Sequence, residues 1–382
     1  MSLLQLDAAA RQIKFRDPQL AGRLAETLAH LLAEIDRPQV SVMHVCGSHE
    51  QAIAKWGLRA RFPKKLNVIM GPGCPVCVTD MPEVDEGVAL ARQDVVIASY
   101  GDMLKVPGTV QSLAQAQAEG ARVEVVYSAL QAVELARQTS QEVVFFATGF
   151  ETTAVATAAI ARRKDLPKNF SILSAHKYIP PVMEIVAEMP ETRVEGFLAA
   201  GHAAAITGWG IFERFVQKHR LPVVVAGFEP LDILAGLAKL VELIRDGEPR
   251  VVNMFPRCVT KEGNRNAQEQ LWSVFRPVGG RWRGIAHVPN GNLRLREEWA
   301  SIDARRRFTI DLASFWDYAP PTLAANCICG DIMSGIKSPG DCSLFGKECV
   351  PDNPVGACMV SSEGTCKIWH QYGGIPNLGG AL

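Results

Sequence analysis

An alternation along the chain constrains the fold more than anything else in the sequence. Short apolar runs, "VSVMHV" at 40–45, "LNVIM" at 66–70, "DVVIAS" at 94–99 and "RVEVVY" at 122–127, are each followed by a stretch with helical spacing. The pattern then repeats with "VVFFAT" at 143–148, "FSILSA" at 170–175, "VEGFLAA" at 194–200 and "PVVVAG" at 222–227. Runs with little polar alternation suit strands covered on both faces, and strand-helix punctuation suits a parallel sheet. The helix signals agree. Asp17 and Pro18 read as N-cap and first helical residue, Ser128 opens a capping box to Gln131, and the helix from Pro230 stops at Gly247. The expected fold class is α/β, with two small doubly wound parallel-sheet domains facing across a cleft, bounded at 1–138 and 139–255.

From residue 256 to 382 the regularity decays. "RVVNMF" reads as one more strand, running into this region, and "NRNAQEQLWSVFRPV", 264–278, as one more helix; after Ala319 the text becomes loop-like. Six of the ten cysteines fall between Cys327 and Cys366, in a segment too rich in glycine and proline to build its own core. A metal or covalent staple is expected there.

Charge excludes some functions. Forty basic residues balance forty acidic ones with no long run of either sign, which argues against nucleic acid or a membrane surface as the main partner. The first twenty residues lack the apolar core of a signal peptide, and no apolar stretch reaches about 18 residues. A cytoplasmic protein is expected, and cysteines kept reduced there point to metal binding or thiol chemistry.

Chemistry-bearing residues cluster where ligands of open α/β sheets bind, after the carboxyl ends of the strands. "CGSHE" puts Cys46, His49 and Glu50 at a strand end just before a helix, where the dipole would stabilise a thiolate able to bind iron or act as a nucleophile. The bland alternative is a buried cysteine beside a satisfied histidine. Cys74 and Cys77 form C-P-V-C, open to a redox, metal or packing role; no second C-x-x-C completes a zinc ribbon, which favours redox. In "TGFETT", Thr148, Glu151, Thr152 and Thr153 suit an anion at a helix N-terminus, although capping explains the threonines equally well. His176 and His202 read more readily as satisfied polar residues than as ligands. The tail thiols Cys327, Cys329, Cys342, Cys349, Cys358 and Cys366 exceed one four-coordinate site, and irregular spacing without histidine leans towards an iron-sulfur cluster over a structural zinc. Cys258 has no sulfur neighbour in sequence and is expected in the core.

Together "CGSHE", "GPGCPVC", "GDMLKVPG", "GFETT", "SAHK" and the tail "CxLFGKxC...NPVGxCMVSSEGTC" resemble the HypD family of NiFe hydrogenase maturation factors, in order from about residue 15 onward. The resemblance implies an assembly scaffold on which an iron ion acquires two cyanides and one carbon monoxide, working with HypC, whose N-terminal cysteine shares the iron, and with HypE, which supplies cyanide. It implies that Cys46 ligates that iron with His49 and Glu50 beside it, and that Cys74 and Cys77 are a cleft dithiol. It further implies that Cys327, Cys342, Cys349 and Cys366 hold a 4Fe-4S cluster, with Cys329 and Cys358 as an adjacent thiol pair. Two rival readings are a general thiol-disulfide oxidoreductase fed by the cluster, and a zinc-stapled binding protein without chemistry.

Overall fold

The computed structural model describes residues 15–316 and 325–373. Its strands are β1 (Val40–His44), β2 (Leu66–Met70), β3 (Val96–Ser99), β4 (Val123–Val125), β5 (Val143–Gly149), β6 (Phe170–His176), β7 (Phe197–Ala200), β8 (Val223–Ala226), β9 (Val251–Asn253), β10 (Phe275–Trp282) and β11 (Ala286–Leu295). One sheet has the order β2-β1-β7-β8-β9 and the other β4-β3-β5-β6, with every pairing in both parallel. The expected α/β class and two parallel-sheet units are therefore present.

Sheet membership cuts across the expected division at 138/139. β1 and β2 leave β3 and β4 and join β7 to β9, with Met43 opposite Phe197 and His44 opposite Leu198. Local apolar patterning says that a segment is a strand but not which distant strand lies beside it, so contiguous bounds could not be read from the alternation.

Side chains alternate between two cores along each strand. On β5, Val143, Phe145 and Ala147 face a core closed by Leu271, Phe275, Leu293 and Leu295, whereas Val144 and Phe146 face the core shared with the other sheet. On the first sheet, Val40, Val42, Leu198 and Val224 pack against the helices Pro18–Ala33 and Pro230–Asp246. The shared core also takes in Ile332, Met333, Leu344, Met359 and Val360 of the tail. The tail thus completes the core between the sheets. Its sparse apolar residues suffice because they pack on strands that are already formed.

The helix expected over 264–278 ends at Val274, and Phe275 begins the antiparallel hairpin β10–β11. Pro277 has no N–H to donate and would clash with the preceding turn, so the helix stops short of it. The hairpin delivers charged groups to the interior. Lys177, at the end of β6 and 0% exposed, donates to Glu83 at 2.6 Å and to Asn292 of β11 at 3.0 Å, and Arg294 donates to the same Glu83 at 3.1 Å. Burial would raise the Glu83 carboxyl, but Lys177 and the arginines outweigh it and hold it down to about 2. Cys258, expected in the core, is exposed in the turn that follows β9. Among the described residues, no helix is long and apolar enough to cross a membrane.

Candidate functional site at the two switch points

Strand order reverses once in each sheet. From β1 the chain passes to β2 on one side, while β7, β8 and β9 run to the other; likewise β3 leads to β4 while β5 leads to β6. Crevices at the carboxyl ends of such neighbours are where open sheets bind ligands. One switch point carries Cys46 after β1 and His202 after β7. The other carries Asp102 after β3 and Glu151 after β5.

Cys46 is the N-cap residue of the helix Gly47–Lys55 and is buried. Burial pushes its thiol up to about 12, against the opposing pull of the His49 and Ser48 N–H groups. Desolvation of the sulfur therefore opposes the stabilisation that the short helix's dipole offers a thiolate. His49 is fully buried, and burial lowers it to about 3, so the ring is neutral. Its Nε2–H donates to the Gly227 carbonyl at 3.0 Å, leaving the Nδ1 lone pair buried without a partner among the described residues. Phe228 stacks between the His49 and His202 rings at 4.8 and 4.9 Å.

Glu50 is engaged on both oxygens. Arg59 Nη2 donates to them at 2.7 and 2.6 Å, His44 Nε2 donates to one at 2.9 Å, and the indole N–H of Trp369 donates to the other at 2.8 Å. Burial would raise this carboxyl, yet Arg59 and His44 hold it well below the usual range. Breaking the buried Glu50–Arg59 pair from one side costs about 3–5 kcal/mol, and the Trp369 indole ties the carboxylate so held to the tail helix Thr365–Tyr372.

The "GPGCPVC" loop lies directly on this strand end. The Gly47 N–H donates to the Gly73 carbonyl at 3.0 Å, and a Cβ at Gly73 would collide with the backbone at Val45 and Cys46. Cys74 and Cys77 form a disulfide, with the sulfurs buried and the Cys77 Sγ 3.9 Å from the Ala357 carbonyl oxygen of the tail. Alkylation of the reduced pair would therefore require local opening.

In the tail, the sulfurs of Cys327 and Cys329 lie 3.3 Å apart. Cys358 neighbours Cys329 and Cys366, and hydrogen bonds from Cys329 and Cys358 hold Cys366 down to about 6. Cys349 is close enough to Cys327 and Cys329 to feel their charge, and Cys342 stands on the turn before it, its carbonyl accepting from the Phe345 N–H. A Cβ at Gly356 would collide with the Cys327 and Cys329 sulfurs, so only glycine leaves this thiol cradle open. An all-thiol donor set without histidine fits an iron-sulfur cluster. Arg283 lies beside Cys329 and Cys327 while donating to the Thr79 and Pro107 carbonyls, both at 2.7 Å.

The tail also reaches the second switch point. Asp102 accepts from the Ser361 hydroxyl and the Ser362 N–H, each at 3.1 Å, and a Cβ at Gly47 would collide with the adjacent Glu363. Across the crevice, Glu151 is buried in the first turn of the helix Glu151–Ala161. One oxygen accepts from the Ile179 N–H at 3.0 Å; among the described residues the other has no partner, nor has the Thr148 hydroxyl. His176 is satisfied by Thr157 at 2.9 Å and Gly149 at 3.3 Å.

Burial pushes Glu151 up to about 7 from an ordinary value of 4.5. A raised carboxyl stabilises the fold below the unfolded value and loses that contribution as pH rises through the folded one. Between pH 4.5 and 8 the wild type should therefore lose about 3 kcal/mol that Glu151→Gln does not lose. Urea midpoints of both proteins across that range measure the difference, and parallel pH profiles would refute it.

Sequence reasoning passed over Glu363, Arg59, Trp369, Arg283 and the Glu83–Lys177 pair. Only His44, a histidine inside an apolar strand run, and Lys177, next to a strand end, carried any local signal.

A family model described as "Hydrogenase formation hypA family", HypD, matches residues 19–373. Hydrogenase expression/formation protein HupD of Azotobacter chroococcum mcd 1 is 42% identical over 375 residues, covering 94% of this chain and 96% of that protein. Hydrogenase maturation factor HypD of Cupriavidus necator is 40% identical over 375 residues, with the same coverage. That of Rhodobacter capsulatus is 38% identical over 371 residues, covering 94% of this chain and 97% of that protein. A match along nearly its whole length, carrying the motifs gathered at both switch points, means that the chain belongs to the HypD family of hydrogenase maturation factors.

Proposed function

We propose that the protein is the cytoplasmic scaffold on which the Fe(CN)2(CO) moiety of a NiFe hydrogenase is assembled, in complex with HypC and with cyanide supplied through HypE. The observation that supports this most strongly is the tail's span. It touches Gly47 beside Cys46 at one switch point, Asp102 at the other, and Cys77 between them. The tail thiols and the residues at both strand ends are thereby in one continuous contact.

The iron is cargo. Cys46 binds it as a thiolate, the metal replacing a proton that burial otherwise retains, and a HypC cysteine supplies a second sulfur. The neutral His49 ring, with Nδ1 unpartnered, offers a lone pair to the metal's surroundings. Glu50 holds the helix that carries both residues.

Cys327, Cys342, Cys349 and Cys366 would hold a 4Fe-4S cluster, with Cys329 and Cys358 as an adjoining thiol pair. When bound, such a cluster supplies electrons one at a time. Opening the Cys74–Cys77 disulfide takes two electrons and two protons and yields two thiols. Burial of those sulfurs weighs against a general reductase, whose client disulfide must reach an attacking thiolate.

Infrared spectra of the protein purified anaerobically with HypC test the reading. Bound cyanide and carbon monoxide absorb where polypeptide does not, and a complex that carries iron yet shows neither band would overturn it.

A further inference from the structure

A second group of metal-binding side chains lies away from the thiols, on the seam between the two sheets. The helix Ile179–Glu188 follows β6 of one sheet, and the helix Glu213–His219 precedes β8 of the other. Glu184 and Glu188 are one turn apart and share a face of the first helix. His219 ends the second, which Arg220 stops in the left-handed conformation at φ 57°. The His219 side chain is only 9% exposed, and its Nε2 is buried without a hydrogen-bond partner among the described residues. That nitrogen lies 3.8 Å from a Glu184 oxygen and 4.0 Å from a Glu188 oxygen. The Phe215 ring, 4.7 Å away and buried, fixes the imidazole's orientation.

From this geometry we propose that Glu184, Glu188 and His219 form a divalent-cation site that ties the two sheet units together. Two donors about 2.1 Å from a tetrahedral ion stand about 3.4 Å apart, so closure by roughly half an ångström suffices. Two carboxylates and an imidazole suit borderline-to-hard cations such as Mn2+, Fe2+ or Zn2+, unlike the soft thiols elsewhere in the chain. A built-in competitor is present. The Lys218 ammonium lies 2.8 Å from Glu184 and 2.9 Å from Glu188, on a side chain that is half exposed and free to swing away. The site borders a cleft of about 520 Å3 lined by Pro180, Pro181, Phe212 and Arg214, which gives a hydrated ion access.

Mn2+ is the suitable probe, because it favours oxygen and imidazole donors over thiols and free aquo-Mn2+ has a strong electron paramagnetic resonance signal. Titrated with the anaerobic full-length protein, it should bind one ion per chain with nitrogen coupling in pulsed spectra. His219→Ala should remove that coupling, and the double variant Glu184→Gln, Glu188→Gln should weaken binding by roughly a hundredfold. Lys218→Ala, at an exposed position that folding tolerates, should tighten binding by roughly tenfold by removing the competing cation. Mn2+ affinity unchanged in both the double variant and Lys218→Ala, or bound Mn2+ without nitrogen coupling in the wild type, would overturn the proposal.

Discussion

On the proposed scaffold reading, replacing Cys46 by serine is expected to erase the cyanide and carbon monoxide bands from the complex with HypC while leaving the absorption of the proposed tail cluster intact. A hydroxyl is a harder donor than a thiolate and does not ionise in a buried pocket, so low-spin iron carrying strong-field ligands loses its anchor. The tail thiols belong to another segment of the chain and do not touch the substituted atom. His49→Ala should weaken the same bands without abolishing them, since it removes the unpartnered Nδ1 and the Gly227 contact but leaves the sulfur. A general reductase predicts the reverse ranking, with Cys74 and Cys77 essential and Cys46 dispensable. A Cys46→Ser protein that retains the diatomic bands and still matures hydrogenase would remove this residue from the mechanism.

Cys366→Ala should bleach the protein, lowering iron and sulfide content by roughly tenfold or more, because a four-thiolate cluster tolerates loss of a ligand poorly. The consequence should extend past the metal. Cys366 sits in the helix that carries Trp369, whose indole holds Glu50, so loosening that helix slackens the clamp on the helix bearing Cys46 and His49. Limited proteolysis should then cut within 325–373 at least tenfold faster, whereas the exposed Cys258→Ala should change neither colour nor cleavage. Full iron and sulfide content in Cys366→Ala would rule out the ligand set, and bleaching with unchanged proteolysis would rule out the mechanical link.

Both expectations depend on contacts between segments far apart in sequence, and this marks how far local reading could go. Strand positions were legible almost to the residue, as at 66–70 and 170–176, because a strand covered on both faces is predominantly apolar. Helix stops were legible where a single residue compels them, as at Gly247, whose φ of 64° favours glycine. Motif residues at strand ends were legible because parallel α/β topology brings all carboxyl ends to one rim. The state of those residues was not. Cys46 looked like a thiolate from its place before a helix, but how many atoms bury it depends on Gly73 and the tail. Glu50 looked like a neighbour of the metal, but Arg59 and Trp369 claim its oxygens.

By itself, then, the sequence determined the α/β class, the strands and most helix limits, and the cysteine, histidine and acidic residues offered to the rim. Each of these follows from periodicity, backbone sterics or side-chain chemistry within a few residues. Tertiary structure alone decided that β1 and β2 join β7 to β9, that the tail completes the core between the sheets, and that Cys46 and His49 are buried. Strand partnership and desolvation arise from the whole set of packed neighbours, and no local stretch of sequence encodes them.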